Sequence, residues 1–457
     1  MRHTISRLGL LLVGKEQSAV LRDRLLSGLG GLLGLRVAFS GLSFAGMVLL
    51  ARLLGPEALG AYSYALAWVV LLAIPSLVGA DQLLVREVAA NFAQQQWGVL
   101  SGLLKTANRA VLLISLTVAL LAGALAWLLS NSAGAGLPWT FWTALPFLPL
   151  ITMTRVRQAV MQGLHRVTLG AAPEQVIQPG LLLAFLTGAW LLHHRLSAPI
   201  AMSANVAAGA VAFGAGAWLL SRTLPREVKP AIPEYRNLKW FQSALPLVFL
   251  AGIAALFAQA DTLILGSVKG ASAVGIYSVA HKGADLVAVM LNAQISAFAS
   301  TVAGLYALGD REQLQRLVTR FARLTMLVSA PLGIGLIIFA RWFLLLYGPS
   351  FVAGQTTLVI LSLGQLGNIG MGFVGLLLIM TGHERQVAFA IGAGAAVNVI
   401  LSFALAPRWG AEGVAVAYSV SMIVWNIWAA VVLYRKTGIH STALGNLSWA
   451  RVRGAVN

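Results

Sequence analysis

The sequence predicts an all-α polytopic membrane protein with about 12 transmembrane helices in two parallel-related six-helix bundles, and three observations carry that reading. The first is composition: 58% of the 457 residues are hydrophobic and only 10% are charged, with a mean hydropathy of +0.82. A soluble chain of this length needs more charge to cover its surface, so most of this surface faces lipid. The second is that apolar runs recur roughly every 30 to 40 residues, each reaching the ~20 residues that cross a bilayer core. The third is an internal repeat. Leu54 to Ala65, LGPEALGAYSYA, returns as Lys269 to Ala280, KGASAVGIYSVA, with identity at Gly55/Gly270, Ala58/Ala273, Gly60/Gly275, Tyr62/Tyr277, Ser63/Ser278 and Ala65/Ala280. Each copy is the turn between two long apolar runs, so the chain reads as two related halves.

In chain order, residues 1–27 carry Arg2, Arg7, Lys15, Arg22 and Arg24 among scattered leucines, the pattern of a basic cytoplasmic segment lying in the membrane interface. The apolar stretch Leu8 to Val13 is too short for the core of a signal peptide, which keeps the N-terminus cytoplasmic. The N-terminal bundle, 28–221, holds spans 1 to 6 at 28–53, 59–80, 107–130, 137–160, 169–192 and 198–221. A cytoplasmic linker, 222–242, leads to the C-terminal bundle, 243–436. Its spans 7 to 12 lie at 243–265, 272–303, 323–346, 355–381, 385–406 and 411–434, and a basic cytoplasmic tail, 437–457, follows. Segments 88–106 and 304–322 take matching places after spans 2 and 8, and the second contains the amphipathic GDREQLQRLVTRF. A shift of six spans preserves direction across the membrane, so the halves are related by an axis along the membrane normal, with a cavity between them.

Net charge is +18, but the cations are sorted by topology rather than gathered for a polyanion. The side of the N-terminus carries 25 basic residues; the other has Arg52, Arg195, Lys269, Arg341 and Arg408, and Arg36 and Lys282 fall inside spans. This bias fits an even number of spans with both termini cytoplasmic, and it removes the reason to invoke nucleic acid as a partner. Cysteine is absent, which excludes disulfides and thiolate metal sites. No Gly-rich phosphate loop offers ATP hydrolysis. His193 and His194 lack a third ligand to complete a metal site, and the short outer loops lack the paired carboxylates of glycosyl transfer. The chain therefore reads as a non-enzyme that uses no metal.

An ionisable residue inside a span costs at least ~2.5 kcal/mol on insertion scales and faces protein or water rather than lipid. On span 1, Arg36 shares a stripe with Ser40 and Ser43; snorkelling to the headgroups is the bland account. Span 7 ends a face of small residues in Asp261, a coupling-ion candidate or a wetted end-of-helix carboxylate. Span 8 places Tyr277, His281, Asp285 and Asn292 near one face, with Lys282 three residues from Asp285. Lys282 and Asp285 are either a self-neutralising pair that joins helices or the lining of a hydrated cavity, offering a cation to an anionic substrate. In span 5, Glu174, Gln175 and Gln178 cluster between Pro173 and Pro179, where capping or a bond to Arg166 is the simpler role for Glu174.

Several stretches resemble one family: ARLLGPEALGAYSYA after span 1, ALPLVFLAGIAALFAQADTLILG with VGIYSVA in spans 7 and 8, FARWFLLLYGPSFVAGQTTLVILSL around span 9, and TGHERQVAFAIGAGAAVNVILSFALAPRWGAEGVAVA across spans 11 and 12. They are similar to polysaccharide transport proteins, the Wzx-type flippases of the multidrug/oligosaccharidyl-lipid/polysaccharide exporter superfamily. The resemblance runs from about residue 25 to 436 and implies a MATE-like fold. It implies transfer of undecaprenyl-diphosphate-linked oligosaccharide from the inner to the outer leaflet of the bacterial cytoplasmic membrane, for O-antigen, capsule or exopolysaccharide assembly. Expected partners are this substrate, membrane lipids and the polysaccharide polymerase and assembly machinery. Related lipid II flippases carry cations on spans 1 and 8, which makes Arg36 and Lys282 the implied substrate-binding residues, with Tyr277 and His281 beside them. No cofactor is expected. Without ATP machinery, net direction comes from product removal or from H⁺ or Na⁺, with Asp261, Asp285 and Glu174 as coupling-ion candidates. The runner-up is a cation-coupled multidrug antiporter of the same superfamily, and a polymerase or ligase is disfavoured for want of a large outer loop.

Overall fold

A computed structural model describes residues 15–129, 137–192, 196–228 and 230–443. His193, His194 and Arg195 lie outside the described residues, as do 1–14 and most of the basic tail. Every regular element among the described residues is a helix, and the helices follow the twelve expected spans. Spans 1 and 2 form one helical run, Lys15–Leu77, broken at Gly55 (φ 70°, ψ 177°). Spans 7 and 8, Asn237–Lys269 and Ala271–Ala307, meet at Gly270 (φ 81°, ψ −176°). The repeat thus places a glycine where the backbone enters a region that side-chain-bearing residues avoid, and it does so at the same point in each half. Spans 11 and 12, Glu384–Thr437, turn in the same way at Gly410. Among the described residues seven helical runs are long and apolar enough to cross a membrane, and the first and the last of these each take in two spans. The fold is that of an all-helical multi-pass membrane protein.

Two expected cytoplasmic segments resolve differently. Segment 88–106 is the end of helix Ala80–Ala93, a turn at Gln95 (φ 55°), and the first turns of Trp97–Leu129, which continues into span 3. Segment 304–322 forms no separate amphipathic helix. Span 8 runs on to Ala307, and Asp310 caps Arg311–Ile338, accepting from the Gln313 amide at 2.9 Å. The amphipathic stretch is the first turns of span 9, and its N-cap explains why the helix starts there.

Packing divides the molecule into a distal face, where Gly55, Gly270 and Gly410 turn the chain, and a linker face, where 223–236 joins the halves. At the distal face a single core draws on both halves, including Leu59, Tyr62, Leu148, Tyr277, Tyr347 and Phe351. Gly60 and Gly275, the repeat's own glycines, meet across it: a Cβ on Gly60 would overlap the Ala271 carbonyl, and one on Gly275 the Pro56 carbonyl. Only glycine permits that backbone approach. Phe44 lies against Phe343 and Tyr347, with ring centroids 6.1 and 6.0 Å apart, and Arg52 Nε donates to the Leu346 carbonyl at 2.7 Å.

At the linker face two separate cores replace the shared one. One gathers spans 2 to 4, Val228 and the start of span 7 around Leu84, Val88, Leu100 and Trp240; the other gathers spans 8 to 12 around Leu314, Ile369, Leu377 and Leu433. The linker docks on the first of these, Glu234 donating its amide to the Gly98 carbonyl at 3.0 Å. On span 1 a Cβ at Gly34 or Gly41 would touch nothing within 4 Å. Distally the halves share one core; towards the linker face the described residues gather into two, the first of which takes in the start of span 7. Outward side chains such as Leu120 and Trp127, 74% and 68% exposed, form the apolar coat that a bilayer covers.

Candidate functional site

Spans 7, 8, 11 and 12 assemble a polar chain in the C-terminal half. Asp261 is 1% exposed on span 7, eight residues before the Lys269 end of its helix, about 12 Å at 1.5 Å per residue. Tyr277 donates its hydroxyl to Asp261 Oδ2 at 2.9 Å, and His281 Nδ1 lies 3.3 Å from the same hydroxyl oxygen. His281 Nε2 is 3.6 Å from Asp285 Oδ1, whose side chain is 43% exposed. On the other side, Ser402 Oγ lies 3.4 Å from Asp261 Oδ1 and 3.3 Å from Asn398 Oδ1. The ring of Tyr418 sits edge-on to His281, centroids 5.0 Å apart. A line of polar groups thus runs from a carboxylate sealed in the interior on span 7, across to Tyr277, and along span 8 in two steps of four residues to the exposed Asp285. Such a line can hold and pass a proton, or hold charge near the middle of a bundle that excludes water.

The structure brings together four of the predicted residues: Asp261, Tyr277, His281 and Asp285. The ion pair of Asp285 is with His281, one turn away, and Lys282 forms no ion pair among the described residues. Lys282 is half-buried on the adjacent face. Arg36 sits on the span 1 helix, but its side chain lies outside the described residues, as does that of Asn292. Glu174 belongs to the other half, 3.6 Å from Arg155 Nε, so its partner is a span 4 arginine rather than Arg166. Asn398, Ser402 and Tyr418 are members that sequence reasoning missed. Asn398 and Ser402 sit four apart in the otherwise apolar run that follows Gln386 in span 11, the spacing that marks two polar groups on one helix face.

Around Glu174 the span 5 helix is irregular. Pro173–Ile177 is a π-helical turn between Val167–Ala172 and Gln178–Leu191. Pro173 and Pro179 lack the amide hydrogens a regular helix uses, and the widened turn accommodates them. Gln178 leaves this turn to donate to Asn205 Oδ1 on span 6 at 3.1 Å. No group of three or more histidine, aspartate and glutamate side chains placed to hold a metal occurs among the described residues.

A buried polar chain thus lies inside an all-helical multi-pass membrane protein, and comparison with known proteins gives its family. The family model described as polysaccharide biosynthesis protein matches residues 25–303. The chain belongs to that family. An inward-facing multidrug resistance MATE family transporter of the MOP superfamily superposes with a TM-score of 0.68 at 12% identity, covering 89% of this chain and 98% of that one. The lipid II flippase MurJ in an inward closed conformation gives 0.66 at 15% identity, over 93% of each chain. A MOP superfamily transporter from Pyrococcus furiosus, described as having a binding pocket of reverse polarity, gives 0.64 at 11%, covering 90% and 95%. At these identities the likeness is one of fold. No curated protein matches the sequence.

Proposed function

We propose that this family member is an alternating-access flippase that moves undecaprenyl-diphosphate-linked oligosaccharide from the cytoplasmic to the outer leaflet of the bacterial cytoplasmic membrane, feeding O-antigen, capsule or exopolysaccharide assembly. The observation that carries the reading is the pair of separate linker-face cores, which we take as the walls of a cleft, in a member of a polysaccharide biosynthesis family. With both termini and the linker cytoplasmic, as the bias of basic residues supports, the cleft admits its cargo from the cytoplasmic leaflet. A diphosphate bearing sugars cannot cross hydrocarbon unaided; a hydrated cleft open to the side shields it while the polyprenyl tail stays in lipid.

Arg36 and Lys282 supply cations for the diphosphate, one from each half, and among the described residues no acidic partner holds Lys282. His281 stands next to it, held by Tyr277. Asp261 and Asp285, the two ends of the polar chain, are the groups through which H⁺ or Na⁺ drives the cycle, and Glu174 on the other half is held to Arg155. Polymerase and assembly proteins would take the product from the outer leaflet.

The test is translocation of a fluorescent undecaprenyl-diphosphate oligosaccharide in proteoliposomes. Loss of a charge-assisted hydrogen bond is worth ~1.5–3 kcal/mol, so Arg36→Ala and Lys282→Ala should each slow flipping by roughly 10- to 100-fold in folded protein. No flipping above protein-free liposomes, together with gradient-driven efflux of a cationic dye, would replace this reading with the antiporter.

A further inference from the structure

We infer that the N-terminal half carries a separate subsite for the sugar portion of the cargo, built by spans 2, 4 and 5; the inference rests on the flippase reading and assigns it a second point of contact. A cavity of about 460 Å³ opens beside span 1, within the roughly 300–1,000 Å³ usual for small-molecule sites. Span 4 lines it with Arg155, Gln158 and Gln162, at i, i+3 and i+7 on one helix face. Asp81 and Gln82, at the start of helix Ala80–Ala93, form another wall, and the π-helical turn supplies Glu174 and Gln175.

The chemistry of the lining selects its ligand. Four primary amides each offer donors and an acceptor, and two carboxylates accept from adjacent hydroxyls. Among the described lining residues one guanidinium stands against two carboxylates, so they offer no net positive charge to a diphosphate. A cationic drug would want an aromatic cage, whereas the described lining residues include a single aromatic, Phe39. A neutral polyhydroxylated ligand matches both the amides and the one apolar ring. Three further features mark the groups as available. Among the described residues no hydrogen bond engages the side chains of Gln158, Gln162 or Gln82, and the Gln175 carbonyl oxygen is buried without a donor. Buried polar atoms ordinarily find partners, so an orphaned acceptor on a cavity wall points to a hydroxyl that arrives from outside. The π turn widens span 5 at this point and brings Glu174 and Gln175 to the same wall, an irregularity of the kind that recurs at functional sites.

The probes are the lipid-linked oligosaccharide extracted from the source cells and the same undecaprenyl diphosphate carrying one sugar, flipped by wild type, Gln158→Ala/Gln162→Ala and Gln175→Leu. Each variant should slow the oligosaccharide carrier about tenfold, the effect of one or two lost hydrogen bonds, and leave the one-sugar carrier within twofold of wild type. Equal slowing of both carriers, or no slowing of either, would overturn the subsite. Wild type that flips neither carrier would overturn the flippase reading. In that case saturation-transfer NMR with the delipidated oligosaccharide decides the subsite alone: signal in wild type that the double variant abolishes sustains it, and equal signal or none removes it.

Discussion

At the scale of single residues, two glycines and one aspartate set the limits on what the fold tolerates. Gly60 and Gly275 let the repeat pack against its own copy, backbone to backbone, and a side chain there meets a carbonyl that cannot move aside. Gly275→Val should therefore cost ~1–3 kcal/mol through overpacking, seen as a melting temperature several degrees lower in detergent. Gly370→Ala, at a glycine with open space, is the control and should be silent. Asp261 poses the opposite problem. It is buried, its oxygens face Tyr277 and Ser402, and no basic side chain forms an ion pair with it among the described residues. Asp261→Asn keeps the acceptor for Tyr277 and removes the charge, so it should fold normally yet lose the response of flipping to an imposed H⁺ or Na⁺ gradient. A response equal to wild type would remove Asp261 from the coupling path.

At the scale of elements, helix irregularities do most of the positioning, and they were the part least legible in the sequence. The spans and their turns at Gly55 and Gly270 were legible, because apolar length and a repeated glycine are local signals. That the glycines of the two copies touch each other is a property of packing, which spacing does not encode. The pairing of His281 rather than Lys282 with Asp285 was equally hidden: i+3 and i+4 neighbours both lie within reach, and rotamers decide. Gly372 (φ 75°) breaks span 10 into Gln355–Met371 and Val374–Met380, and the chain after Gly438 docks into that break through the Ser441 carbonyl. Gln315 holds this strap with two bonds to the His440 backbone, 2.9 and 2.8 Å, and the His440 ring stacks on Tyr434 with centroids 4.6 Å apart. Gln315→Ala should lower stability by ~1–3 kcal/mol. Burial holds the His440 imidazole below its ordinary pKa of 6.5, so the folded protein favours the neutral ring. The strap's contribution is then complete above pH 6.5 and fades as pH falls and the ring is protonated. Melting curves from pH 8 to pH 5 should show this decline in the full chain and not in His440→Phe.

At the scale of the whole molecule, the arrangement of cores defines how it can move. A transporter that alternates must exchange the shared distal core for a shared core at the linker face, and the aromatic contacts of Phe44 with Phe343 and Tyr347 are what must part. Span 7 touches both sides of the division: its first turns belong to the core of the N-terminal half through Trp240 and Ala244, while Ile264 and Leu265 belong to the distal core. It is the element that would bend or swing. Because the sequence holds no cysteine, introduced pairs report without background. Cysteines replacing Phe44 and Tyr347, whose rings lie 6.0 Å apart, should be joined by a short, reducible bifunctional thiol reagent. The cross-link would pin the distal face shut. Flipping should then fall at least tenfold, the uncross-linked variant should keep most of its activity, and reduction should restore it. Transport that persists through a complete cross-link would mean that cargo passes without the distal face opening, along the outside of the bundles rather than through the cleft.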